Sequence, residues 1–220
     1  MGYCVIIPAY NAARTLPAVA SEVLTSGVPI LVIDDGSTDL TSESVRDLPV
    51  TLIRHDRNQG KGAALRSGFC WALRNGYTGV VTLDADGQHD PSAVTLLAET
   101  ARREDIDILI ASRSVQFDQM AGLRSWWNRF GVRCMRKKTG FDITDSQSGF
   151  RYYSSRLLKS LELRAAGYQL EMEILMKGWR GSFRIASLPV AARVADGRAT
   201  SHFRPVRDTW NICMTFLRYS

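Results

Sequence analysis

The stretch VVTLDADGQHDP, residues 80–91, decides the fold predicted for this chain. Its first four residues are apolar or β-branched, which is typical of a short buried strand. That strand ends at Asp84-Ala85-Asp86, and two carboxylates two positions apart on extended backbone point to one side, about 6.5–7 Å apart. Because such a pair repels by about 2–3 kcal/mol at an effective dielectric constant of about 20, a divalent cation would stabilise it. A magnesium site is one interpretation of this stretch, and a solvated turn between a strand and a helix is the other.

Strand patterns alternate with helix patterns on both sides of this stretch. A continuous apolar run such as Ile30–Ile33 is typical of a parallel strand covered on both faces. The alternation predicts an α/β fold, in which a Rossmann-like, mostly parallel sheet is flanked by helices within a single domain. Strands are predicted at 5–7, 30–33, 50–53, 80–83 and 106–110, and helices at 14–26, at about 63–75 and around 94–101.

Polar residues follow each of these predicted strands. Ligands of parallel α/β sheets bind outside the carboxyl ends of the strands, so side chains that follow the strands meet at one edge. The sequence therefore predicts one binding site at that edge. The polar segments are Tyr10-Asn11, Asp34-Asp35, Arg54 to Lys61, Asp84 to Asp86, and Arg113.

The second half of the chain has a less regular pattern. A helix is predicted at 120–138, with Trp126 and Trp127 on its apolar stripe and many basic residues around them. This helix suits a membrane interface, because each surface Lys or Arg adds about 1 kcal/mol on an anionic leaflet. The alternative is that the two tryptophans pack in the protein core. A helix near 169–177, a strand near 183–190 and a terminal helix follow. The terminal helix is expected to pack on the sheet, with lipid docking as the alternative, through the stripe of Trp210, Cys213, Met214 and Leu217.

The composition limits the class of protein and its partners. With 45% hydrophobic and 23% charged residues, the chain is typical of a soluble globular protein. Its net charge of +6 favours an anionic partner such as a phosphate ester or a membrane surface. Nucleic acid is not expected, because the basic residues are dispersed. No leader, no apolar run long enough to cross a membrane and no metal-binding cysteine spacing occur, so a cytoplasmic, at most peripheral, location is expected.

Seven short motifs occur in a fixed order along nearly the whole chain. Together they resemble the family 2 glycosyltransferases of the A-type fold, and most closely the polyprenyl-phosphate (dolichol-phosphate) mannosyl- and glucosyltransferases. Each motif is weakly specific alone, but seven in the family's order are strongly specific. The motifs are VIIPAYN (5–11), VIDDGSTD (32–39), NQGKGAALRSGF (58–69), LDADGQHDP (83–91), ASR (111–113), DSQSGFR (145–151) and SHFRP (201–205).

The resemblance implies a nucleotide-sugar site. Asp35 would recognise the base or the ribose, and Asp84 and Asp86 would hold a Mg²⁺ or Mn²⁺ ion with the donor diphosphate, with Gln88 as a further ligand. A bound cation stabilises the negative charge that develops on a nucleoside diphosphate leaving group. The residues implied to bind the nucleotide sugar are Pro8, Tyr10, Asn11, Asp35, Lys61, Gly62, Asp84, Ala85, Asp86 and Arg204.

The acceptor decides which residues are catalytic. A hydroxyl acceptor needs a general base, and Asp145, Glu171 and Glu173 are the available carboxylates. Glu173 is also placed to pair with Lys177 at i+4, which favours Asp145. A lipid phosphate acceptor is already anionic at neutral pH and needs cations instead of a base. Arginine can hold phosphates bidentately, and surface salt bridging is its alternative role. The predicted catalytic residues are Asp86, Asp145, Arg113 and Arg124.

The predicted function is an inverting, metal-dependent transfer of a hexose from a GDP- or UDP-linked sugar to a polyprenyl phosphate. Residues 1–115 would form the nucleotide-sugar half, and residues 116–220 the acceptor half, of an enzyme at the cytosolic membrane face that serves cell-envelope glycan synthesis. One alternative keeps the donor and transfers to a hydroxyl of a surface polysaccharide or lipid-linked glycan. The others are a catalytically silent nucleotide-binding module and a nucleotidyltransferase, which would release pyrophosphate.

Overall fold

The strand predicted from the stretch 80–91 is the central strand of a seven-stranded sheet in a computed structural model. The structure describes residues 2–112, 145, 148–191 and 205–219. Its strands are β1 (Tyr3–Ala9), β2 (Ile30–Asp34), β3 (Thr51–Arg54), β4 (Gly79–Thr82), β5 (Ile108–Ser112), β6 (Arg151–Ser154) and β7 (Ile185–Pro189). Its helices are α1 (Leu16–Leu24), α2 (Lys61–Arg74), α3 (Ala93–Arg103), α4 (Ser155–Ser160), α5 (Leu170–Arg180) and α6 (Pro205–Tyr219), with a 3₁₀ turn at Glu43–Val45.

The sheet has the order β3-β2-β1-β4-β6-β5-β7. β1 pairs in parallel with β2 and β4, β2 with β3, and β5 with β7, which confirms the mostly parallel sheet. β6 runs antiparallel between β4 and β5. Sequence reasoning missed β6, because the segment Arg-Tyr-Tyr-Ser is not an apolar run although all four residues are buried. Since β6 is reversed, its beginning lies at the carboxyl end of β4.

Both faces of the sheet are covered, as the continuous apolar runs predicted. Alternate residues of β1 enter two separate hydrophobic clusters: Val5 and Ile7 on one face, Cys4 and Ile6 on the other. Helices α1 and α3 cover the first face, and α2, α4 and α5 cover the second. The strand ends that carry polar residues therefore emerge from a rigid core, which fixes their positions at the edge.

The terminal helix α6 contacts α5 with a face that the sequence did not predict. Ile212, Phe216 and Tyr219 pack against the second cluster. The predicted stripe is instead exposed: Trp210 is 66% exposed and Leu217 is 64% exposed. The expectation that this stripe packs on the sheet is wrong, because a different apolar row of α6 faces the cluster and leaves the predicted stripe in solvent.

Two other features concern the membrane expectation. Within the described ranges, no helix has both the length and the apolar character needed to cross a bilayer. The predicted helix at 120–138, with Trp126 and Trp127, lies outside the described residues.

Candidate active site

A cleft of about 730 Å³ opens at the carboxyl edge of the sheet. Segments that follow β1, β2 and β4 form one side, and residues 166–169 and one face of α6 form the other. The structure thus brings together most of the residues that were predicted to bind a nucleotide sugar. Those that line the cleft are Pro8, Tyr10, Asn11, Asp35, Lys61, Asp84, Ala85 and Asp86.

Lys61, the first residue of α2, lies between two carboxylates. Its Nζ is 2.6 Å from Asp84 Oδ1 and 3.1 Å from Glu171 Oε1, and it lies 5.6 Å from the centre of the Tyr168 ring. Burial alone would lower the pKa of Lys61, but the charges of Asp84 and Glu171 outweigh it and raise the pKa above its usual value. Lys61 therefore carries a positive charge beside Asp84 at neutral pH.

The two aspartates of the stretch 80–91 fit a shared metal ion. Within the described part of the chain, no three His, Cys, Asp or Glu side chains converge on one point. Magnesium commonly takes one or two carboxylates and fills its other positions with water and phosphate oxygens, so Asp84 and Asp86 suffice if a diphosphate is also present. The ammonium of Lys61 against Asp84 indicates that this position favours a cation. The residues fit Mg²⁺ or Mn²⁺ that enters with a phosphate ligand.

Asp86 and Gln88 belong to the same turn. The Gln88 backbone N–H donates a 3.0 Å hydrogen bond to Asp86 Oδ1, and Gly87 between them has a φ of +73°. This turn holds the Asp86 carboxylate at the edge of the cleft. Gln88 itself does not line the cleft, and its role as a metal ligand stays a prediction.

Gly149 is a site residue that sequence reasoning missed. The antiparallel register pairs Thr82 of β4 with Arg151 of β6, so two residues further on Gly149 faces Asp84. A Cβ atom at Gly149 would lie 2.3 Å from Asp84 Oδ2 and 2.7 Å from Lys61 Nζ. With any other residue at this position, the carboxylate, the lysine or the backbone of residue 149 would have to shift. The signal was present in the motif DSQSGFR, but it has meaning only once the register of β6 is known.

Arg151 links β6 to the start of α5. It is fully buried, and its Nε donates to the Ser148 carbonyl at 2.6 Å while Nη1 donates to the Glu171 carbonyl at 3.2 Å. A buried guanidinium that satisfies two backbone carbonyls ties the two segments together. Arg151 thereby ties together the segments that carry Gly149 and Glu171, both of which lie close to Lys61 Nζ.

Asp35 organises the segment that leads into α2. Its carboxylate accepts hydrogen bonds from the backbone N–H groups of Gln59 and Gly60, at 3.0 and 2.7 Å, and lies 2.7 Å from His55 Nδ1. The other ring nitrogen of His55 is 3.0 Å from Ser67 Oγ. Asp35 lines the cleft while also fixing the backbone before Lys61, and its predicted contact with the base or ribose stays a prediction.

The backbone of residues 166–169 lies so close to the segment around Lys61 that it explains why glycines flank this lysine. A Cβ at Gly60 would lie 2.6 Å from the Ala166 carbonyl oxygen, and one at Gly62 would lie 2.6 Å from that of Gly167. The Ala63 N–H also donates to the Ala166 carbonyl at 3.0 Å. Gly62, which was predicted to lie near the nucleotide, does not line the cleft and instead permits this close backbone approach.

The three carboxylates considered as a general base occupy different environments. Asp145 is fully buried and does not line the cleft, and Glu171 is committed to Lys61. Glu173 pairs with Lys177 at 2.6 Å, which confirms the predicted i+4 ion pair. Burial opposes the lowering of the Glu173 pKa, but hydrogen bonds from Lys177 and the backbone outweigh it. Catalysis by Asp145 stays a prediction.

Some predicted site residues lie outside the described part of the chain, and some residues that line the cleft were not predicted. Arg113, Arg124 and Arg204 lie outside the described residues. Sequence reasoning did not find the wall residues contributed by the loop before α5 and by α6. These residues are Ala166, Gly167, Tyr168, Gln169, Arg207, Asp208 and Asn211.

Solved structures share this architecture. Glucosyl-3-phosphoglycerate synthase from Mycobacterium tuberculosis, solved in complex with UDP, superposes with a TM-score of 0.80, and the match covers 99% of this chain and 79% of that one. A second structure of that synthase, with Mn²⁺, UDP and phosphoglyceric acid, gives a TM-score of 0.77. At 21% sequence identity, this likeness supports the glycosyltransferase A-type fold.

Sequence relatives are closer. The undecaprenyl-phosphate mannosyltransferase of Micrococcus luteus is 31% identical over 202 residues, which cover 84% of this chain and 81% of the relative. The polyprenol monophosphomannose synthase of Mycolicibacterium smegmatis is 32% identical over 203 residues, and the match covers 84% of this chain and 75% of that relative. The family model described as "Glycosyl transferase family 2" matches residues 4–161. This span contains β1 from its second residue, β2 to β6, both aspartates of the cleft edge, Lys61 and Gly149. The chain is a glycosyltransferase that belongs to glycosyl transferase family 2.

Proposed function

We propose that this glycosyltransferase moves a hexose from a GDP- or UDP-linked sugar to a polyprenyl phosphate at the cytosolic face of a membrane, with inversion at the anomeric carbon. Asp84 and Asp86 would hold Mg²⁺ or Mn²⁺, which when bound supplies positive charge against the departing diphosphate. Two relatives at 31% and 32% identity support this acceptor class by their names, an undecaprenyl-phosphate mannosyltransferase and a polyprenol monophosphomannose synthase. Both named solved structures hold UDP, and one of them also holds Mn²⁺, which supports the donor class.

The donor side rests on the residues at the ends of β1, β2 and β4. Tyr10, Asn11 and Asp35 line the cleft and offer polar groups and an aromatic ring. Asp84, which lies beside Lys61, and Asp86 line it as well. A nucleoside diphosphate would place its base among the first group and its phosphates near the second. Because Lys61 is charged and largely buried, it would add positive charge near the leaving group.

One observation carries the choice of a lipid acceptor, namely the three faces of α6. Arg207, Asp208 and Asn211 line the cleft, while a second face packs on α5. The third face exposes Trp210, Met214 and Leu217, and Arg207 and Arg218 are exposed beside it. We call Trp210, Met214 and Leu217 the α6 stripe. A helix that borders the cleft and also carries apolar and basic groups suits the surface of an anionic membrane.

The transfer itself is tested with radiolabelled GDP-mannose, UDP-glucose and UDP-N-acetylglucosamine, each with Mn²⁺ and either undecaprenyl phosphate or undecaprenol. We expect label in the organic phase with undecaprenyl phosphate and one of these donors, and none with undecaprenol, because the phosphate is the nucleophile. Transfer to undecaprenol or to a glycan hydroxyl, but not to the phosphate, would contradict the acceptor proposed here. Release of pyrophosphate would indicate a nucleotidyltransferase instead.

The α6 stripe makes a separate prediction about membrane binding. The double substitution Trp210→Ser and Leu217→Ser should weaken binding to vesicles of phosphatidylglycerol and phosphatidylethanolamine by at least about tenfold, because each buried apolar side chain contributes about 1.5–3 kcal/mol. The matched control is Leu40→Ser with Leu96→Ser, which removes two apolar side chains outside α6 that are 68% and 53% exposed. Co-sedimentation measures both. Equal loss in the two double variants would contradict a specific role for α6.

A further inference from the structure

The arrangement of Lys61 relative to Asp84 and Glu171 bears on how a cation enters the site. Lys61 Nζ is 2.6 Å from Asp84 Oδ1, so the carboxylate predicted to bind a metal already holds a positive charge. The lysine side chain is only 14% exposed, and that of Asp84 is 25% exposed. A divalent cation at Asp84 would repel the ammonium at this distance. For a metal to bind, the ammonium must move away from Asp84, and because it is largely buried it must stay close to another negative charge.

Glu171 provides the second position for this ammonium. Its Oε1 lies 3.1 Å from Lys61 Nζ, and its side chain is 9% exposed. Glu171 stands in the first turn of α5, and its carbonyl accepts a hydrogen bond from the fully buried Arg151, so its backbone is fixed. The Tyr168 ring, 5.6 Å from Nζ, gives the displaced ammonium an aromatic face as well. There is little room for the ammonium beside Gly149, since even a Cβ atom built there would lie 2.7 Å from Lys61 Nζ.

We propose that Lys61 is the counterion of Asp84 in the metal-free protein, and that Glu171 is a positioning residue that takes over the Lys61 ammonium when Mg²⁺ or Mn²⁺ binds. This inference rests on the proposed function, because it assumes a metal at Asp84 and Asp86. It assigns Glu171, one of the three carboxylates considered as a general base, a different role. It also gives a reason for the two carboxylates beside Lys61, since Asp84 would be its partner without the metal and Glu171 its partner with the metal.

Metal affinity, measured without turnover, tests the proposal. Binding of Mn²⁺ is followed by the loss of the free-ion electron paramagnetic resonance signal, both alone and with saturating UDP or GDP. Lys61→Met removes the competing charge and should tighten Mn²⁺ binding by about tenfold, as expected for a like charge within a few ångströms. Glu171→Gln removes the second position, confines Lys61 to Asp84 and should weaken Mn²⁺ binding by a similar factor.

The double variant separates this role from a general effect of charge. Because Glu171 acts through Lys61, Lys61→Met with Glu171→Gln should bind Mn²⁺ as tightly as Lys61→Met alone, which is a non-additive result. The control Glu162→Gln removes one negative charge from a side chain that is 76% exposed and should leave the affinity unchanged. Circular dichroism checks folding. If Glu171→Gln does not fold, Glu171→Asp, which keeps the charge but shortens the side chain, takes its place and should also weaken Mn²⁺ binding.

The possible results distinguish this inference from the proposed function. If the wild-type protein binds no Mn²⁺ in any condition, the metal site and the proposed function both fail. If the wild type binds Mn²⁺ but Lys61→Met weakens binding or leaves it unchanged, only the counterion role is overturned. If Glu171→Gln still weakens binding in the absence of Lys61, Glu171 acts on the metal directly and not through the lysine.

Discussion

Replacement of Asp86 by asparagine should lower the rate of sugar transfer by about 10²–10³-fold, the loss typical of removing one electrostatic stabiliser of a leaving group. Asparagine keeps an oxygen that can accept the Gln88 N–H hydrogen bond, which is 3.0 Å long in the structure, so the turn at 86–88 should persist. Only the negative charge and the anionic metal ligand are lost. The measurement is the initial rate with saturating donor and acceptor across a range of Mn²⁺ concentrations.

The control for this substitution is Asp47→Asn, which removes one carboxylate at an exposed position away from the cleft. It should leave the rate within about twofold of wild type, since an isolated surface charge contributes little. If Asp86→Asn retained more than a tenth of the wild-type rate at every Mn²⁺ concentration, Asp86 would not be needed to stabilise the diphosphate.

Gly149→Ala should lower the transfer rate by about 10²-fold, even though it adds only one methyl group. The new Cβ would lie 2.3 Å from Asp84 Oδ2 and 2.7 Å from Lys61 Nζ, so the carboxylate, the lysine or β6 must shift. A displacement of about 1 Å in a catalytic site can cost about 10²-fold in rate. Because overpacking also costs about 1–3 kcal/mol, the variant should unfold at a lower temperature but still fold.

Gly2→Ala is the matched control, because a Cβ at Gly2 meets no atom within 4 Å. The transfer rate and the thermal unfolding midpoint are measured for both glycine variants. Wild-type activity in Gly149→Ala would show that Asp84 and Lys61 adjust freely, and the arrangement around Asp84 would then not be needed for transfer.

The donor side of the cleft could be predicted because it depends on local sequence. Apolar runs predict parallel strands, and parallel strands place the residues that follow them at one edge, so Tyr10, Asp35 and Asp84 were grouped without knowledge of tertiary contacts. The strand boundaries were correct to within two residues for the same reason.

The rest of the cleft depends on how distant segments pack, which local patterns do not reveal. β6 was missed because Arg151 and two tyrosines are buried in it, and a buried arginine becomes favourable only when carbonyls such as those of Ser148 and Glu171 are at hand. Gly149 became a site residue only through the register of β6. The stripe on α6 was assigned to the core because helical spacing gives an apolar face but does not say what covers it.

Isothermal titration of UDP and GDP, with and without Mn²⁺, tests most directly whether Asp84 and Asp86 share a cation with a diphosphate. We expect Mn²⁺ to tighten the binding of one nucleotide by at least about tenfold in the wild-type protein and to have no such effect in Asp86→Asn. If Mn²⁺ left the affinity of the wild-type protein for UDP and its affinity for GDP both unchanged, a metal-assisted donor site at the end of β4 would be contradicted.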